Sequence, residues 1–185
     1  MEIEFSDFEH YARTVAAYYG LAGIAIRNAT KADFPRLAEM QVGALCATGR
    51  DIYGAGKIKR YVERHLRQTL HLCSQPTFFV ATKGNEVIGS GGWSRIPTAQ
   101  GRELPCAVCF YVDPRFARRG VGRSLLAITE TSARKSRVGI LSAFAPLHGA
   151  DLFRNSGYSA SDILPLDLGD DYSMDLLVMR KRLTA

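Results

Sequence analysis

Seven consecutive residues in the middle of the chain, Arg118-Arg119-Gly120-Val121-Gly122-Arg123-Ser124, combine the two properties that hold a phosphate. Glycines one residue apart let the backbone approach a ligand closely. If a helix begins here, its first N–H groups lack intrahelical partners and point at whatever lies in front of them. Three arginines add charge. The plainer use of such a pair is steric, a tight turn from strand to helix. The spacing is neither the G-x-x-x-x-G-K-[ST] of a P-loop nor the G-x-G-x-x-G dinucleotide fingerprint. A second candidate is the C-x-x-C of Cys106 and Cys109. Zinc would need a matching second pair, which the sequence lacks, and no metal is expected. The run LPCAVCFYV reads as a strand, not as the helix start that lowers a thiol pKa. In a regular strand residues three apart face opposite sides, so the pair is expected to be two structural thiols packed as small hydrophobes.

Charge concentrates at the same place. The 185 residues are 46% hydrophobic with a formal net charge of +6, which excludes a disordered chain and suits one domain with its own core. Residues 113–137 carry seven basic side chains against Asp113 and Glu130, so most of the excess lies beside the glycine turn. A second basic run, Lys57, Lys59, Arg60, Arg64 and Arg67, reads as a solvated helix face, and residues 151–175 carry six aspartates against Arg154. The opening MEIEFSDFEHYARTVAAYYGLAG has acids where a secretory leader has a basic cap, and no apolar run approaches the roughly 20 residues of a membrane span. A cytoplasmic location without a membrane partner is the expectation.

The elements that must position the turn are read from periodicity. Phe5, Phe8, Tyr11, Val15 and Tyr18 or Tyr19 form a helical stripe ended by Gly20. IAIRNAT alternates like a strand. Thr30 and Asp33 signal a helix start, and Pro35 suits the first turn of a helix capped by Asp33. TGRDIYGAG reads as a loop, followed by a stripe of Ile58, Val62, Leu66 and Leu70. TFFVAT and VIGSGGWSR form a hairpin around a Gly-Asn turn, and Leu104 to Val112 is a third long strand. The glycine turn then opens a helix that buries Leu125, Leu126, Ile128 or Thr129, and Ala133. VGILSAFAP is a short strand, GADLFRNSG a short helix and SMDLLVMRKRL a final strand.

With this order of elements around it, YVDPRFARRGVGRSLL resembles the pyrophosphate-binding motif of the GNAT superfamily of acetyl-CoA-dependent N-acyltransferases. IRNATKAD, FFVATKGNEVIGSGGW and LFRNSGY support the resemblance, which covers roughly residues 24–182. It implies an α/β (α+β) fold: a single domain, residues 24–185, with a mixed, mostly antiparallel twisted sheet flanked by helices, and an added helical extension over residues 1–23. Acetyl-CoA is the implied cosubstrate. The amides of Arg118, Arg119, Gly120, Val121, Gly122, Arg123 and Ser124 would cradle the pyrophosphate, and the main chain of Phe110, Tyr111 and Val112 would pair with the pantetheine arm. The Phe110 amide would also meet the thioester oxygen, where charge develops.

Two positions depart from the family pattern. Ala117 stands where relatives have Gln or Arg, and Phe153 where many place a proton-donating Tyr. A phenylalanine there can pack against the coenzyme but has no proton to give. Candidate bases are His148, after the strand ILSAFAP, and Glu103, which needs a bulge to reach the correct face of its strand; a loop histidine without a role is the plainer reading of His148. Tyr111, Tyr158 and Tyr172 are alternative donors, Tyr158 being better suited to the core. Trp93 is either a wall of the acceptor side or plain core. Asp167, Asp170, Asp171 and Asp175 either attract a cationic amine or make a solvated loop.

The leading function is therefore acetyl transfer from acetyl-CoA to a primary amine of a small molecule or peptide. The alternative is a catalytically silent acetyl-CoA-binding sensor, which Phe153 keeps open. A nucleic-acid partner is not expected, because the basic segments are accounted for by a multiply charged ligand. The N-terminal helix is an available homodimer surface.

Overall fold

The structure, a computed structural model, describes residues 5–66, 70–98 and 100–183. Arg67 of the second basic run lies outside them, as do the side chains of Phe5 and Leu70. Helix α1 spans Phe5–Tyr18, strand β1 Ile24–Asn28 and helix α2 Phe34–Tyr61. β2 (Phe78–Lys83), β3 (Glu86–Pro97) and β4 (Glu103–Val112) follow. Next come helix α3 (Val121–Lys135), β5 (Ile140–Pro146), the short helix α4 (Ala150–Arg154), β6 (Ser159–Gly169) and β7 (Tyr172–Arg182). The strands form one sheet in the order β1-β2-β3-β4-β5-β7-β6, antiparallel except for β4 against β5. Among the described residues, no helix is long and apolar enough to cross a membrane.

Helix α2 begins where Asp33 ends a tight turn. Arg27 grips its carboxylate through both oxygens at 2.7 and 2.8 Å, and the Thr30 amide and hydroxyl donate to Oδ2 at 2.8 and 2.9 Å. These bonds, the Arg27 one first, hold the Asp33 pKa down at about 2. The segment TGRDIYGAG is not a loop: α2 runs through it, broken only at Gly54, whose φ of +76 suits glycine. Buried Tyr53 holds the turn in place by donating to the Asp175 carbonyl at 2.8 Å and accepting from the Leu147 amide at 2.7 Å. Tertiary anchoring thus overrides the local turn composition.

Helices cover both faces of the sheet. On one, α3 buries Val121, Leu125, Leu126, Ile128 and Ala133, and α1 joins it through Ala12, Val15 and Ala16. The apolar face of α1 is therefore covered by its own domain, leaving Tyr18 exposed. On the other face, α2 buries Leu37, Met40, Leu45 and Ile58. Residues 159–169, to which the periodicity assigns no element, form the edge strand β6 paired along β7.

Candidate active site

A cleft opens in the middle of the sheet because β4 and β5 pair only briefly. Cys106 lies opposite Ser142 and Ala107 opposite Ala143, and beyond these the two strands part. Residues 108–112 therefore leave one strand edge without a neighbour. On the other edge β4 pairs with β3, but with a bulge: Val108 is opposite Gly92 and Tyr111 opposite Ser90, so two residues of β4 face the single Gly91. Cys109, at φ +55, carries the irregularity. A short chain of buried bonds pins it, from Gln41 Nε2 to Ser90 Oγ at 3.1 Å and from Ser90 Oγ to the Cys109 carbonyl at 2.9 Å. The ring of Phe110 then lies over Gly91, where even a methyl group would come within 2.6 Å of it.

The cleft measures about 740 Å³, and its walls differ. Phe110 meets Phe153 edge-on at 5.6 Å on the α3 face, and Phe153 in turn meets Tyr158 at 5.2 Å. On the α2 face the Tyr111 and Tyr61 hydroxyls lie 3.2 Å apart. Burial raises both phenol pKa values, Tyr111 well above the ordinary value, so at neutral pH both are O–H donors and not bases. His148 lines the same cleft, its ring 5.9 Å from that of Tyr53. Burial lowers its pKa, leaving a neutral imidazole, and its Nδ1 is buried without a protein partner.

At the outer end lies the glycine turn. Arg118 adopts φ +62, and Gly120, at φ +93, is the N-cap of α3. Ser124 N donates to Gly120 O at 2.9 Å, which closes the first helical bond. The amides without intrahelical acceptors are thus those of Val121, Gly122 and Arg123. Arg118, Arg119 and Arg123 line the cleft, and among the described residues none of them is ion-paired with a carboxylate. The basic cluster is divided accordingly: Arg115 is tied to Asp113 and Glu86, and Arg134 to Glu130.

Of the residues singled out from sequence, Phe110, Tyr111, Val112, Arg118, Arg119, Gly120, Gly122, Arg123, His148 and Phe153 line this one cleft. Val121 is buried and can offer only its amide, whereas Ser124 is fully buried with its amide already bonded. Glu103 is exposed at the start of β4, opposite Pro97, roughly 23 Å of extended strand from Phe110, and the bulge comes too late in the strand to turn it. Trp93 is core: it is buried on the α3 side and donates from Nε1 to Ser132 Oγ at 3.0 Å. Tyr158 is buried in the same cluster, and Tyr172 lies beneath Arg60. The aspartates organise the β6–β7 turn, Asp170 pairing with Arg60 and Asp167 accepting from the Gly169 amide at 2.7 Å, and none of the four borders the cleft. Cys106 is buried, its pKa pushed up to about 12, while Cys109 lines the cleft. Tyr61 and Thr48 were not singled out from sequence. Tyr61 sits three residues after Ile58 of the α2 stripe, but no local spacing links it to Tyr111.

Known proteins share this fold. Residues 74–160 match the family described as acetyltransferase (GNAT) domain. A GCN5-related N-acetyltransferase from Rhodopseudomonas palustris superposes with a TM-score of 0.74 at 20% identity, over 88% of this chain and 97% of the other. The PaiA N-acetyltransferase from Thermoplasma acidophilum, solved in complex with coenzyme A, gives 0.67 at 17% identity, over 86% and 98%. A ribosomal-protein-alanine N-acetyltransferase from Brucella melitensis gives 0.61 at 26% identity, over 85% and 99%. No curated protein is matched by this chain.

Proposed function

Because this chain belongs to the GNAT superfamily of acetyltransferases, we propose that it transfers the acetyl group of acetyl-CoA directly to a primary amine of a small molecule or peptide. The observation that carries the reading is the continuity of one cleft from the unpaired edge of β4 to the helix-start amides and the arginines at the beginning of α3, which have no carboxylate partner among the described residues. A thioester with a long amide-bearing arm and a pyrophosphate fits such a cleft at both ends. The amides of Val121, Gly122 and Arg123 would hold the pyrophosphate, with Arg118, Arg119 and Arg123 balancing its charge. Residues 110–112 would bond the arm as a neighbouring strand.

In the transfer, the amine nitrogen bonds the acetyl carbon, the carbon–sulfur bond breaks, the nitrogen loses one proton and the sulfur gains one. The neutral imidazole of His148, which lines the cleft, is the group suited to accept the amine proton. The Tyr61–Tyr111 pair retains its protons and is suited to donate to the departing sulfur, the task Phe153 has no proton for. A silent acetyl-CoA sensor is the second reading, favoured by Phe153 itself. A panel of amines screened for CoA release separates the two, since a sensor releases none.

Gly122→Asp tests donor binding without disturbing the fold. A Cβ there meets Leu152 and Val112 at 3.4–3.5 Å, ordinary contact, and an acid in the first turn suits the helix dipole. The same carboxylate repels a pyrophosphate, so the calorimetric Kd for acetyl-CoA should rise roughly 100-fold. Unchanged binding would sink the assignment.

A further inference from the structure

The added N-terminal helix ends against the phosphate turn. Gly20, at φ +69, donates from its amide to the Ala17 carbonyl and Leu21 to the Ala16 carbonyl, both at 2.9 Å, a C-cap that leaves Tyr19 as the last residue of the turn. Its support is rigid. Ala12, Val15, Ala16 and Leu21 are buried, and the Tyr11 and Thr131 hydroxyls bond at 2.8 Å, tying α1 to α3. A Cβ on Gly120 would stand 3.2 Å from Tyr19 Cβ and 3.3 Å from its carbonyl oxygen. The half-buried Tyr19 ring lines the cleft beside Arg118, Arg119 and Gly120. The other rings in the described lining stand on α2, β4, β5, α4 and, for His148, the turn between β5 and α4, so Tyr19 is the aromatic group at the outer end.

We propose that Tyr19 is a nucleotide-binding residue whose ring packs on the adenine of the coenzyme A donor. The inference rests on the acetyl-CoA reading and adds to it a contact from outside the matched residues 74–160. A donor with its pyrophosphate on the α3 amides and its arm running inward along β4 must send its nucleoside outward, past the turn. The arginines there suit phosphates, but a flat base needs a flat partner, and a tyrosine offers one with little entropy to lose. The last turn of α1 carries no basic residue, and a helix C-terminus repels anions, so what α1 supplies at this end is the ring.

The test compares two probes by calorimetry, acetyl-CoA and S-acetyl-4′-phosphopantetheine, which keeps one phosphate of the pyrophosphate but lacks the adenosine with its other phosphates. Tyr19→Ala should weaken acetyl-CoA about 10-fold, as loss of a base-stacking ring does. Tyr19→Phe, which keeps the ring, should bind acetyl-CoA as the parent does, and the shorter probe should bind all variants equally. If Tyr19→Ala melts before it can be titrated, Tyr19→Leu takes its place with the same expected loss. Equal weakening of both probes would mean that Tyr19 only shapes the turn and would overturn the proposal, as would unchanged acetyl-CoA binding. A parent protein that binds neither probe would overturn the donor reading itself and this inference with it.

Discussion

Gly91→Ala puts the architecture of the cleft to a direct test. Alanine normally suits an extended segment better than glycine by about 0.5–1 kcal/mol, so elsewhere this change would stabilise. Here the new methyl would stand 2.6, 2.7 and 2.9 Å from Cε1, Cδ1 and Cζ of Phe110. Carbon atoms settle at about 3.5–4.0 Å, so the ring must retreat by roughly 1 Å. It can move only against Phe153 or into the cleft. Overpacking of this size costs about 1–3 kcal/mol, or roughly 2–12 °C in Tm for a domain of this length. The acetyl-CoA Kd should rise with it. The decisive assay is a double-mutant cycle with Phe110→Leu, followed by thermal melting. With the ring gone, adding Gly91→Ala should cost nearly nothing. The same loss in both backgrounds would refute the account of why β3 has a glycine opposite the bulge.

Two pH dependences follow from buried groups. His148 has a folded pKa below its ordinary 6.5, so the unfolded chain binds its proton more readily. Its contribution to stability is fully present above pH 6.5 and is lost as pH falls toward the folded value; kcat/KM should fall on an acid limb lying below 6.5, and His148→Gln should abolish both effects while exposed Glu103→Gln leaves them intact. Asp33, held at about 2 against an ordinary 3.8, stabilises the protein above pH 3.8 and loses that contribution as pH falls toward 2. Asp33→Asn should lower Tm at neutral pH and flatten the melting profile across that window.

What was legible in the sequence was local. The turn at Gly120 could be read because its glycines, the arginines beside it and the helix it starts are consecutive. Leu125, Leu126, Ile128, Thr129 and Ala133 could be read because one face of one helix is buried. Strand β6 could not be read. It pairs only with β7 at the sheet edge and is exposed along most of its length; Leu164, Leu166 and Leu168 do alternate with Pro165 and Asp167, but a proline speaks against a strand, and Pro165 is tolerated there only because an edge strand has an unused side. Tyr61 and Tyr111 are 50 residues apart and meet only because α2 crosses the opening between β4 and β5.

The bulge at Cys109 decides which residues meet in that opening. Ala107 packs toward α3 and Val108 toward α2, in regular alternation; then Cys109 also packs toward α2, Phe110 toward α3 and Tyr111 toward α2. Continued without interruption, the alternation would have sent Phe110 to α2 and Tyr111 to α3. One extra residue therefore exchanges the two walls, bringing Phe110 to Phe153 and Tyr111 to Tyr61. It also cancels the odd spacing of the C-x-x-C, so that Cys106 and Cys109 project from the same face, against the expectation for a regular strand. The sequence around Cys109 has no glycine or asparagine to announce a residue at φ +55. The conformation is held instead by Ser90 and Gln41, 19 and 68 positions away in the chain, and with it the assignment of every side chain in the cleft beyond Ala107.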